Sequence, residues 1–410
     1  MKILRIGICA LLAFAVLAHG GVEDWARAVF ESSAALLLVL WAARYYFHHE
    51  DSVRIPELLP PLLALEFLIL IQWLFRITAS PFSTRIELLL FSADAILVFL
   101  VAQAFQTLEE WRALVWFLIV FGFLVSGFGI LQHLTFNGKL YWFREMTYGG
   151  IPFGPYVNRN HFAGFLELII PLSLGPLVMG KVRRERLASV AIFAVIPLSA
   201  LFLAASRAGI ISVFGEAALL LLMLVTRRSL GKHALIGAAV LALAFSVVSW
   251  IGVRQILSRF SSFQNLEVSE GKRASMRHGT WHMFLDHLVV GSGFGAFQTA
   301  YPPYETQYDG RVVNHAHNDY LEVLAETGIL GGLCCAWFLA ILFIVSVRRI
   351  QNPSSPFAGV LHLAGLTGCF GFLIHSLADF NLHIPANAFL FLVAALLATA
   401  PIRAPDAAAG

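Results

Sequence analysis

Apolar runs long enough to cross a bilayer recur from one end of this chain to the other, and no other feature constrains its fold as much. A hydrocarbon core takes about 20 apolar residues per helix, with about 17 to 25 as the working range. On that ruler spans fall near 4–19, 28–46, 58–77, 86–106, 112–136, 158–180, 187–204, 208–226, 234–252, 319–347, 358–377 and 384–402, which makes twelve. Of the 410 residues, 59% are hydrophobic and 13% charged, against about 25% charged in an ordinary globular domain. A soluble domain could not cover so much apolar surface. The expected fold is an all-α polytopic integral membrane protein, and the composition argues against a soluble enzyme, a secreted disulfide scaffold or a nucleic-acid binder. Cys9, Cys334, Cys335 and Cys369 lie in apolar stretches, where neither a disulfide framework nor a zinc site is expected. The first run follows Lys2 and Arg5, but Ala18-His19-Gly20 is a poor cleavage pattern and more spans follow, so it reads as a retained anchor.

The basic residues set an orientation. With the N-terminus inside and twelve alternating spans, the short inner segments collect fifteen Lys and Arg, including Lys181, Arg183, Arg184 and Arg186. The short outer segments hold seven, and six more fall in one long outer loop, 253–318, to which the charge rule applies weakly. Both termini are therefore expected in the cytoplasm. The long loop contains Phe, Trp, Tyr and Gly as well as charges, so it is expected to fold onto the bundle as short helices. No internal repeat stands out.

The polar residues that need a reason gather on the outer face. Asn158-Arg159-Asn160-His161 opens the sixth span, Ser206-Arg207-Ala208-Gly209 joins the seventh to the eighth, and Arg277 with Trp281 lies in the long loop. Asn314-His315-Ala316-His317-Asn318-Asp319-Tyr320 runs into the tenth span, and His375, Asp379 and His383 close the last outer turn. An Arg at mid-helix costs about 2.5–3.5 kcal/mol on insertion scales. Arg207 reads either as a side chain snorkelling to headgroups or as a guanidinium fork gripping a phosphate-bearing lipid. Arg277 alone is the weaker signal, since an Arg in a polar loop is usually just solvated, and Arg159 between two asparagines suits a sugar or phosphate pocket. His315-Ala316-His317-Asn318-Asp319 resembles the zinc-binding run of metallo-β-lactamase-type hydrolases. That run continues with another His where this chain has Tyr320, and it belongs to a soluble fold. A structural histidine pair and acid–base work by an imidazole near pH 7 are the other readings. At helical spacing Asp319, Glu322 and Glu326 share one face of the tenth span, a polar seam of the kind that marks functional candidates inside a membrane. Gly291-Ser292-Gly293-Phe294-Gly295 follows no strand of a βαβ unit, so it reads as a tight turn rather than a nucleotide loop.

The order of these elements closely resembles the O-antigen ligase and O-antigen polymerase superfamily of bacterial membrane glycosyltransferases. The resemblance rests on Asn-Arg-Asn-His at 158–161, Ser-Arg-Ala-Gly at 206–209 and Arg277 four residues before Trp281. It continues through Gly-Ser-Gly-Phe-Gly-Ala-Phe at 291–297, His-Ala-His-Asn-Asp-Tyr-Leu-Glu at 315–322 and Ala-Glu-Thr-Gly at 325–328. It covers roughly residues 150–400. The first five spans are too generic to add to it. It implies a GT-C-like layout: N-terminal membrane helices over 1–150, a catalytic membrane region over 151–402 that includes the periplasmic loop 253–318, and a short cytoplasmic tail over 403–410.

What the resemblance implies about chemistry is inverting, metal-independent transfer of a glycan from an undecaprenyl-diphosphate carrier to a hydroxyl acceptor. The reaction would take place at the periplasmic face of the bacterial inner membrane, with no cofactor, no metal and no nucleic acid. Arg207 and Arg277 would hold the diphosphate, and Arg159 is a further contact. His317, directly before Asn318, would be the general base, with His315 in reserve. Asn160, His315, Asn318, Tyr320 and Trp281 would line the substrate site. The acceptor is a lipid or glycan hydroxyl, as in lipopolysaccharide ligation or exopolysaccharide polymerisation. A protein acceptor, as in O-oligosaccharyltransferases, is the alternative within the class. The alternative from another class is a transporter or flippase that moves a lipid-linked sugar unchanged. Transporters commonly show internal repeats and paired helix breaks, which this sequence lacks.

Overall fold

The computed structural model describes residues 1–47, 53–145, 152–179, 182–226, 236–250, 266–308 and 310–403. Lys181, Arg227, Arg228 and Lys232, the first part of the long loop and the C-terminal tail beyond 403 lie outside the described residues. The helices in chain order are α1 (Lys2–Leu17), α2 (Asp24–Phe47), α3 (Leu59–Leu74), α4 (Pro81–Ala104), α5 (Leu108–Leu134), α6 (Arg159–Val178) and α7 (Leu187–Ala204). They continue with α8 (Arg207–Thr226), α9 (Ile236–Trp250), α10 (Leu266–Asp286), the single turn α11 (Phe297–Ala300), α12 (Asp319–Gln351), α13 (Pro356–His375) and α14 (Pro385–Thr399). Strand-like pairing among the described residues is confined to isolated bridges. The chain is an all-α polytopic membrane protein. A helix coincides with each of the twelve expected spans. Seven of them (α2, α4, α5, α7, α8, α12 and α13) are long and apolar enough to cross a membrane by length and composition alone.

Local sequence explains where these helices begin. Ser80, Thr107, Asn158, Asn318 and Ser355 each cap a helix through a side-chain oxygen that accepts a backbone N–H of the first turn, meeting donors that the helix itself leaves orphaned. Pro81, Pro356 and Pro385 sit at first-turn positions, where the missing N–H costs nothing. Between helices in lipid the hydrophobic effect gives little, so close packing of small residues does the joining. α13 is the hub, packed against α6, α8, α12 and α14. Its glycines let it in: a Cβ at Gly365 would stand 2.7 Å from the Ala394 carbonyl, and one at Gly371 would stand 2.1 Å from Glu216 Oε1.

The tenth expected span differs from a single straight helix. α12 is broken at Gly328, whose φ of 64° and ψ of −164° only glycine adopts without strain. The break frees backbone groups that the Gly291–Gly295 segment takes up. Ser292 N–H donates to Ala325 O and Gly293 N–H to Glu326 O, while Ile329 N–H donates to Leu288 O. Buried Gln72 of α3 completes the joint, donating to Val290 O and Glu326 O and accepting from Phe294 N–H. The tight turn expected from the glycines is thus the partner of a helix break. A Cβ at Gly328 would also come within 2.3 Å of Val289 O. Gly328→Ala is therefore expected to cost at least about 1–3 kcal/mol in backbone strain, read as a lower Tm of the detergent-solubilised protein. An unchanged Tm would mean that the break is not required.

Candidate functional site

α6, α8, α12 and α14 begin at one end of the bundle, and α13 ends there. Cross-links between them fix this. Asp319 N–H donates to Ser376 O, Asn387 Nδ2 to His161 O, and Gly209 of α8 faces Ala163 and Glu167 of α6 at close range. Several positive helix ends therefore converge. α10 closes over them from outside: Met276, Met283 and Phe284 pack with Phe297, Tyr301, Val313 and Ala316.

Two histidine–carboxylate groups stand at this end, joined by the ring of Phe380. In the first, His317 Nδ1 lies 3.3 Å from Asp379 Oδ1, and Asn160 Nδ2 donates to Asp379 Oδ2 at 2.6 Å. His317 has a positive φ of 50°, so the backbone before α12 is bent to aim it. Asp379 has no exposed side-chain surface. Burial alone would raise its pKa, but the His317 hydrogen bond and the nearby His161, His375 and His317 outweigh burial and hold it well below the usual carboxylate range. A carboxylate on Nδ1 fixes the imidazole tautomer and leaves Nε2 as the proton acceptor.

In the second group, His315 Nδ1 lies 2.7 Å and His383 Nε2 3.3 Å from the same oxygen, Glu322 Oε1, while Glu322 Oε2 accepts the Ala316 N–H at 2.7 Å. His383 Nδ1 lies 3.1 Å from Asp319 Oδ1. Burial disfavours the charged imidazole, but Glu322, Asp319 and Glu326 together raise the His383 pKa to about 10. Phe380 stacks on His315 with centroids 4.3 Å apart and meets His317 edge-on at 5.0 Å.

The expected site residues distribute as follows. His315, His317 and Asn160 stand in these groups. Asn318 is the α12 cap and its Nδ2 donates to Leu377 O, so its amide is occupied in holding the helix start. Tyr320 donates its hydroxyl to Leu373 O. Arg159 and Arg207 are the first residues of α6 and α8, the latter two residues after Ala205, which turns left-handed with φ 52°. Arg277 and Trp281 ride on α10, where Trp281 is 44% exposed and packs on Phe284. The structure adds Asp379, Phe380 and Glu322 to the set. The sequence offered Asp379 and Glu322 as polar residues near spans, but gave no sign of their partners.

Beneath the site lie two further features. Glu167 Oε1 and His375 Nδ1 are 2.7 Å apart with both side chains fully buried. A cavity of about 200 Å³ opens from Asp319, Tyr320 and His383 down between α3, α4, α12 and α14, walled by residues such as Leu65, Phe91, Val323 and Phe391.

The fold and this polar end define a multi-pass membrane protein with a histidine–carboxylate centre at the ends of its helices. Residues 192–336 match the O-antigen ligase family, a stretch that holds Arg207, Arg277, Trp281, His315, His317, Asn318 and Tyr320. The chain is also similar to the teichuronic acid biosynthesis protein TuaE of Bacillus subtilis (strain 168), 24% identical over 301 residues. That match takes in 68% of this chain and spans 59% of the relative's length. The superfamily read from the motifs is the one these comparisons support.

Proposed function

We propose that this protein transfers a glycan from an undecaprenyl-diphosphate-linked donor to a hydroxyl acceptor at the periplasmic face of the inner membrane. The observation that carries this reading is the His317–Asp379–Asn160 arrangement at the ends of α6 and α12, beside the helix start that bears Arg207, in a chain that matches the O-antigen ligase family. His317 Nε2 takes the acceptor's proton as its oxygen attacks the anomeric carbon. The bond from that carbon to the diphosphate oxygen breaks in the same displacement, so the configuration inverts. Arg207 and Arg277, with Arg159, neutralise the leaving diphosphate, helped by the positive ends of α6 and α8. With guanidinium groups in that role, the transfer step needs no metal. Trp281, Asn160 and Tyr320 line the approach. The apolar cavity beneath His383 suits a hydrocarbon chain, which favours lipid-borne substrates. The relative's name, teichuronic acid biosynthesis, fits the assembly of a polysaccharide.

The test is transfer in proteoliposomes holding the purified chain, with lipid-linked glycan and candidate acceptors. Glycan-extended product is expected. Donor that crosses the bilayer unchanged would replace this reading with the transporter one. In the same assay Asp379→Asn is expected to slow transfer on the order of 10²-fold with little change in KM, because an amide no longer enforces the productive tautomer.

A further inference from the structure

We propose that His315, Glu322 and His383 form a binding site for one divalent transition-metal ion of the zinc class, which ties the start of α12 to the turn between α13 and α14. The ligand atoms His315 Nδ1, Glu322 Oε1 and His383 Nε2 all lie within 4.8 Å of one another, and two of the three separations are 2.7 and 3.3 Å. A tetrahedral ion with bonds of about 2.0–2.1 Å sets its ligands about 3.3 Å apart. The Glu322–His383 pair already has that spacing, the His315–Glu322 pair has to open by about 0.6 Å, and the two imidazole nitrogens, within 4.8 Å of each other, have to settle to the same spacing.

The surroundings are those of a ligand set rather than of a chance cluster. The second oxygen of Glu322 is pinned by the Ala316 N–H, which presents the first oxygen as a single ligand atom. The far nitrogen of His383 is held by Asp319 Oδ1, the carboxylate–histidine arrangement that orients metal-bound imidazoles. Glu322 is 1% exposed at its side chain while His315 and His383 are 28% and 19% exposed. The site is thus closed behind and open in front, leaving a position for water.

Charge points the same way. Asp319, Glu322 and Glu326 are all buried beside His383, and carboxylates removed from water need compensating positive charge. Either protons on the imidazoles or one divalent ion can supply it. The set is distinct from the His-x-His-x-Asp run of the sequence, whose second histidine goes to Asp379 and whose Asp319 backs His383. The ion lies outside the transfer step proposed above, so either can fail alone.

The experiment is Co²⁺ titration of the purified full chain in detergent, followed by visible absorption and metal analysis. It uses a His278→Ala/His282→Ala background, because that surface pair, with Nε2 atoms 3.3 Å apart, could bind metal on its own. One equivalent of tetrahedral cobalt per chain is expected, lost in Glu322→Gln and in His383→Ala. Asp319→Asn should weaken binding about 10–100-fold. A Tm rise on metal addition is expected in the parent and not in Glu322→Gln. No binding at micromolar free metal, or a full equivalent retained in Glu322→Gln, overturns the proposal. Glu322→Gln is nearly isosteric, so it keeps the test decisive where His383→Ala fails to fold.

Discussion

His317→Ala is expected to slow glycan transfer about 10²–10⁴-fold, the range for loss of a positioned general base, while Tm and donor binding stay close to the parent's. The residue lies before the first turn of α12, so truncation leaves the hydrogen bonds of the helix in place. The cap of α12 is supplied by Asn318, not by His317. His315→Ala provides the contrast. Its Nδ1 lies 2.7 Å from Glu322, against 3.3 Å between His317 and Asp379, so its loss should lower stability more than His317→Ala does and the rate constant less. Single-turnover transfer at several pH values separates the two: a base shows itself as a lost ionisation in the rate profile. Equal rates for the parent and His317→Ala would remove His317 from the mechanism.

The second large effect is expected at Arg207, where alanine should lower the rate about 10²–10³-fold, as for removal of one donor to a developing oxyanion. The local structure gives the reason. The chain turns left-handed at Ala205, and buried Ser206 accepts the Gly209 N–H through its Oγ. This sets Arg207 as the first residue of α8, next to the first turn of α6. A guanidinium at a helix start adds to the positive end of the dipole. Arg207→Lys keeps the charge but loses the fork that fits two phosphate oxygens, and should fall between parent and alanine. The measurement is transfer against donor concentration in proteoliposomes. An unimpaired Arg207→Ala would leave Arg207 as a headgroup anchor, the plainer of its two sequence readings.

Much of the architecture was legible because it is local. Runs of about 20 apolar residues mark bilayer crossings wherever they occur, and α7 and α8 begin and end within a residue of the expected spans. The described part of the long loop folded as its aromatic content suggested, with α10 laid against α12. The break at Gly328 was not legible. Ala-Glu-Thr-Gly occurs in an otherwise ordinary apolar helix, and its meaning comes from the Gly291–Gly295 segment that inserts there.

The site divides in the same way. Asn158-Arg159-Asn160-His161 and His315–Tyr320 stand out as polar clusters at span ends, and single-residue reasoning suffices to mark them. Their partners lie far off in the chain: Asn160 and Asp379 are 219 residues apart, His375 and Glu167 208, His383 and Asp319 64. Hydrophobicity is a property each segment carries by itself, so the sequence determined that the chain is a helical membrane protein and which of its ends is polar. A hydrogen bond or ligand set depends on distance and direction between side chains. Only the packing of α6, α12 and α13 around one another could therefore assign His317 to Asp379, His315 to Glu322 and His383 between two carboxylates.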